Sequence, residues 1–142
     1  MNLFTMNKVE IKLCYKHVWV DHPLTIAFVN NLKTIAIDVS GKNYVEFSKI
    51  IDVTDENEFQ IVVSNKTIKN TRQNGDDSLI FLQSFKIDNF ELINLLNKKS
   101  QFHYFETDSK QKLEATTVFG HNGRFLLKFS YPINHWLLES LF

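Results

Sequence analysis

The residues best equipped for chemistry in this chain are its five histidines, its one cysteine and an acid-rich stretch near the middle. His17 and His22 flank Asp21, His103 lies in QFHYFE, and His121 stands next to Arg124 in GHNGR. A zinc or iron centre needs three or more converging ligands, and no histidine pair here follows an HxH or HExxH spacing. No metal and no cofactor is therefore assigned. An enzyme built on His17, His22 or His103 would need convergent polar groups in a pocket, and the sequence names none. Cys14 shares one strand face with Glu10 and Lys12. Lys12 nearby would favour its thiolate, but nothing around it resembles a cysteine nucleophile, and an ordinary strand thiol is the plainer reading. With four glycines in the chain, a phosphate-cradling loop, a dinucleotide fingerprint and a GxSxG elbow are all absent.

GHNGR itself reads as a bend. It lies between two alternating runs, LEATTVF and RFLLKFSY, and Asn-Gly is the strongest short hairpin signal. Roles for His121 and Arg124 would need a second wall of polar groups.

The acids carry more weight. Asp52, Asp55, Glu56 and Glu58 fall within seven positions, and Asp76 and Asp77 follow in the next polar loop. DVTDENE lacks the alternating oxygens and the glycine of a calcium loop. The two segments are either solvated loops or a charged rim that steers a partner by complementary charge. Trp19 and Tyr44, if exposed, would be the anchors of such a surface, since aromatic side chains dominate binding hot spots.

Composition narrows the classes. A chain of 142 residues, 44% hydrophobic and 13% aromatic, can bury a real core and is expected to be a single domain over 1–142. Sixteen basic and sixteen acidic residues cancel, which disfavours nucleic acid as a partner because phosphate contacts need a basic excess. Only Arg72 and Arg124 are arginines, so bidentate anion recognition is rationed. One cysteine permits no intrachain disulfide and suits a reducing compartment. No run approaches ~18 apolar residues and no secretion signal is read at the start, so the expectation is a cytoplasmic protein without a membrane partner.

Most of the chain alternates with period two, the strand signature: VEIKLCY, KTIAIDV, NYVEFSKII, KLEATTVF and RFLLKFSY. LTIAFV reads as a more buried strand, and FQIVVSNKTIKN as a strand or a hairpin about Ser64-Asn65. Turns are expected at Asp21-His22-Pro23, Asn30-Asn31, Ser40 to Asn43, the polar stretch Asp52 to Glu58, and Asn74-Gly75. DNFELINLLNKK reads as a helix over about 88–99. Asp88 serves as N-cap and Glu91 completes a capping box, with Lys98 and Lys99 at the end where the dipole favours cations. The tail INHWLLESLF reads as a short helix. The fold class is therefore α+β, a mainly antiparallel, curved or two-layer β-sheet with one well-capped helix at about 88–99 and a short C-terminal helix.

The order of parts from Ser78 to Trp136 resembles small bacterial immunity proteins of polymorphic and contact-dependent toxin systems. A strand runs into FKIDNFELINLLNKK, an aromatic strand QFHYFE follows, and LEATTVFGHNGRFLLKFSYP leads into a Trp-bearing tail. The resemblance implies a cytosolic, non-enzymatic α+β protein that neutralises a cognate toxin domain by occluding its active site. It implies no catalytic residue. The alternative is a small-molecule or carbohydrate-binding β domain whose Phe-rich interior encloses a ligand.

Overall fold

In the strand NKVEIKLCYKHV every second side chain is apolar up to Tyr15, and this alternation decides which face goes inside. The computed structural model describes residues 7–67, 69, 78–95, 101–104, 112–113, 117–120 and 122–141, with 101–104, 112–113 and 141 in backbone only. Eleven strands are resolved among them: β1 (Asn7–Val18), β2 (Thr25–Asn30), β3 (Lys33–Asp38), β4 (Tyr44–Val53), β5 (Glu56–Ser64), β6 (Leu79–Ile87), β7 (Phe90–Glu91), β8 (Gln101–Tyr104), β9 (Lys112–Leu113), β10 (Val118–Phe119) and β11 (Gly123–Ser130). A helix, α1 (Ile133–Leu141), follows.

The strands form two antiparallel sheets. One runs β10-β6-β1-β4, with β7 also paired to β6; the other runs β3-β2-β5-β11-β8-β9. Their inner faces meet in one core. Val9, Ile11, Leu13 and Tyr15 of β1 and Ile80, Leu82, Phe85 and Ile87 of β6 oppose Ile26 and Phe28 of β2, Phe59, Ile61 and Val63 of β5, and Phe125, Leu127 and Phe129 of β11. Aromatic rings bridge the gap, with centroids 6.0 Å apart for Tyr15–Phe28, 5.0 Å for Phe28–Phe47, 5.1 Å for Phe59–Phe85 and 5.2 Å for Phe119–Phe125. Each such pair adds about 0.5–1.5 kcal/mol beyond its buried area. Trp136 of α1 meets Phe129 edge to face at 6.3 Å, which docks the helix on β11. The antiparallel two-layer α+β architecture is the one expected from the alternation.

Several elements differ from the sequence reading. The helix does not start at Asp88. Asp88 and Asn89 take φ of 49° and 68°, and form the turn between β6 and β7, where Lys86 pairs with Glu91. The Asp88 carboxylate accepts the Glu10 amide at 2.8 Å instead of capping a helix. The Glu91 carboxylate accepts Ser84 Oγ at 2.6 Å and the Phe85 amide at 2.9 Å. Helical backbone is found at 93–95, and Lys98 and Lys99 lie outside the described residues.

LEATTVF and RFLLKFSY do not form a hairpin. β10 pairs with β6 and β11 with β5 and β8, so 120–122 carries the chain from one sheet to the other. KLEATTVF is likewise divided, β9 pairing with β8 in the second sheet. The crossing is fastened by Lys66. Its ammonium donates to the carbonyls of Ser78 at 3.0 Å and Gly120 at 2.6 Å. The Asn122 side chain bonds both the amide and the carbonyl of Lys66, at 2.8 and 2.9 Å. At Gly120 a Cβ would sit 2.6 Å from a Leu79 methyl, so the glycine lets the crossing pass close to β6. His121 lies outside the described residues.

Candidate functional site

The end of the sandwich at the β3–β4 turn gathers exposed apolar side chains. Trp19, just beyond β1, donates from Nε1 to the Gly41 carbonyl at 2.8 Å. Gly41 has φ of 69°, and a Cβ there would lie 3.2 Å from both Pro23 and Trp19, so backbone strain and lack of space both require glycine. The turn is tied by the Ser40 amide to the Asp38 carboxylate at 2.8 Å and the Lys42 amide to Ser40 Oγ at 3.3 Å. Around it Trp19 is 39% exposed, Tyr44 52%, Ile37 62% and Val39 65%. Tyr44 donates to Glu46 at 3.2 Å. Its hydroxyl is pushed up to about 12, first by its hydrogen bond with Cys14, and stays a donor at neutral pH.

Beneath this turn lies a polar layer. The buried Tyr15 hydroxyl donates to the Asp38 carboxylate. Burial first, then the bond and charge of Asp38, push that phenol far above its ordinary value. For Asp38 burial pulls upward, but the bonds from Ser40 and Tyr15 outweigh it and the carboxyl is held low. His17, only 1% exposed, accepts the Leu24 amide at Nε2, 3.3 Å away. Burial lowers its pKa against a smaller upward pull from Asp38. His22 is elsewhere, its Nδ1 2.8 Å from Asp21 and its Nε2 3.0 Å from the Asn65 carbonyl. The two histidines do not share a pocket. His103 is described in backbone only, and Asp76, Asp77 and Arg72 lie outside the described residues. Among the described residues no group of three or more His, Cys, Asp or Glu is placed to hold a metal ion, and no helix is long and apolar enough to cross a membrane.

The four remaining acids sit at the opposite end of β4. The polar stretch is shorter than expected: β4 runs to Val53 and β5 starts at Glu56, so only Thr54 and Asp55 cross between the sheets. Asp52 is paired with Lys8 at 2.6 Å, Glu56 accepts Ser130 Oγ at 3.1 Å, and Glu58 accepts Gln60 at 2.9 Å. The buried Asn57 side chain organises this end. Its Oδ1 accepts the Thr54 amide and Asn31 Nδ2, both at 2.9 Å, while its Nδ2 donates to the Thr54 carbonyl at 2.8 Å. Eight residues of strand separate Tyr44 from Asp52, roughly 26 Å at about 3.3 Å per residue. The expected anchors and the four described acids of the expected rim therefore lie toward different ends of β4.

Sequence reasoning named Trp19 and Tyr44 but missed Val39, Ile37 and the 87%-exposed Leu32. Val39 stands between the end of β3 and the Ser40 to Asn43 turn, where among the described residues no strand pairs beside it. Compared with known proteins, the chain matches no family model, no curated protein and no solved structure.

Proposed function

We propose that this chain is a non-enzymatic protein-binding module, an immunity-type antidote that neutralises a cognate bacterial toxin domain by covering its active site. The reading rests on one observation: Trp19, Val39 and Tyr44 stand exposed around a rigid turn, beside two edge strands, β3 and β4, each paired on one side only among the described residues. An edge strand offers its free backbone groups to an incoming strand, and fixed aromatic side chains with a polar tip make strong anchors. That the partner is a toxin rests on the sequence resemblance over 78–136 alone, and two of its parts, the helix from Asp88 and the hairpin about GHNGR, take other forms in the fold. The acids Asp52, Asp55, Glu56 and Glu58 then act at a distance, by steering encounter.

Capture from a lysate of the native host, with high-salt washing, tests the reading when followed by a growth assay. The expected result is one near-stoichiometric protein that arrests growth when expressed alone and is harmless when this chain is co-expressed. A captured protein whose toxicity persists beside this chain, or one that is not toxic at all, rejects the antidote reading.

A further inference from the structure

At the margin where β3 and β4 face each other from different sheets, a cleft of about 130 Å³ opens, far from the Trp19 end. Its apolar walls are Ile35, Ile50 and Ile51, and Lys33 and Lys49 stand at it. The Lys49 ammonium donates to the Ile35 carbonyl at 2.9 Å, which bridges the two strand edges and leaves two of its three N–H groups for other acceptors. Asp52 also borders the cleft, but its charge is matched by Lys8 at 2.6 Å. The local balance at the cleft is therefore positive.

The second observation is Asn30, which lines the same cleft. It is 4% exposed, and its Oδ1 is buried with no hydrogen-bond donor among the described residues. An orphaned buried acceptor costs about 1–3 kcal/mol, and a half-turn of the side-chain amide, which exchanges Oδ1 and Nδ2, is what would present it to a donor in the cleft. The Phe-filled interior leaves the ligand to this margin, since its rings already fill the space between the sheets. Size limits the occupant. An apolar cavity of roughly 150 Å³ takes a benzene ring, so one ring or a short chain fits and a dinucleotide does not.

We propose that the β3–β4 cleft binds a small organic anion that also carries a neutral hydrogen-bond donor, in the simplest case a hydroxy-carboxylate. Its apolar body lies on Ile35, Ile50 and Ile51, its charge faces Lys33 and Lys49, and its donor meets Asn30. The site lies on the same β3 and β4 edges as the proposed toxin surface, toward the other end of β4 from Trp19 and Tyr44, and its test needs no toxin.

Three probes separate the elements of the proposal in an NMR titration of the full chain: 4-hydroxybenzoate, benzoate without the donor, and 4-hydroxybenzamide without the charge. The first is expected to give saturable shifts at the methyls of Ile35, Ile50 and Ile51 and at the Asn30 side-chain amide. Each of the others should bind more weakly by about threefold or more, as loss of one exposed charge or one hydrogen bond implies. Lys33→Gln changes an exposed residue and keeps the fold. It should weaken 4-hydroxybenzoate by about threefold and leave 4-hydroxybenzamide unchanged. The proposal is overturned by shifts that do not saturate, by shifts centred elsewhere, by equal binding of the three probes, or by a Lys33→Gln variant that binds the carboxylate as well as the parent.

Discussion

His17 and His22 lie five positions apart and respond to pH in opposite directions. His22 is raised, first by its bond to Asp21 and then by the Asn65 carbonyl, because both ring nitrogens have acceptors for an imidazolium. Its stabilisation is fully present below the ordinary value of about 6.5 and is lost as pH rises through the higher folded value. His17 is lowered by burial, so the folded chain resists its protonation. Its contribution is full above about 6.5 and is lost as pH falls through the lower folded value. Thermal midpoints measured between about pH 5 and 8 should separate the two. His22→Gln should lower the midpoint most at the acid end, and His17→Phe should flatten the acid-side decline whatever its effect at pH 8. A His22→Gln variant that parallels the parent at every pH would remove the assigned ion pair. The burial of His17 was legible, since it continues the alternation of Val9, Ile11, Leu13 and Tyr15 along β1; the partners of His22 were not, because the Asn65 carbonyl comes from a distant turn.

The β2–β3 hairpin breaks a local rule. Asn31 and Leu32 both take positive φ, 49° and 67°, in a two-residue turn that favours Asn-Gly. A leucine there is strained by about 1–2 kcal/mol, while its side chain is 87% exposed and recovers little by packing. Leu32→Gly should therefore raise stability by about 0.5–1 kcal/mol, after the added flexibility of the unfolded chain is deducted; a shift of the urea midpoint to higher denaturant at constant slope is the readout. At the neighbouring crossing Asn57→Ala should lower stability by about 1–3 kcal/mol, because it strands the Thr54 amide and the Asn31 side chain together. The strands themselves were legible because a period of two reports which face is buried. That period says nothing about which sheet a strand joins, which is why the hairpin expected about GHNGR is in fact a crossing held by Lys66 and Asn122. The Asp88–Glu91 spacing misled for a related reason. Two carboxylates three residues apart can cap a helix, but they can equally accept strand amides on either side of a two-residue turn, and Asp88 and Asn89 tolerate the left-handed backbone that such a turn needs.

At the scale of the whole molecule, β4 is a spacer with different chemistry at its two ends. Trp19 and Tyr44, singled out by residue type, are exposed. Their separation from the acids was not legible in the sequence, because it depends on β4 running unbroken from Tyr44 to Val53. That separation gives the proposed toxin complex two distinguishable responses. A pocketed aromatic anchor holds a complex together, so Trp19→Ala with Tyr44→Ala should weaken binding by about 2 kcal/mol or more, nearly all of it as faster dissociation. Rim charges act mainly on encounter. Replacing Asp52, Asp55, Glu56 and Glu58 by their amides should slow association severalfold at low salt and leave dissociation almost unchanged, with the difference shrinking as added salt screens the field. Surface plasmon resonance at two ionic strengths reads both rates. The opposite assignment, dissociation governed by the acids and association by the aromatics, would move the contact surface to the β4–β5 crossing and leave the exposed cluster at the β3–β4 turn without a partner.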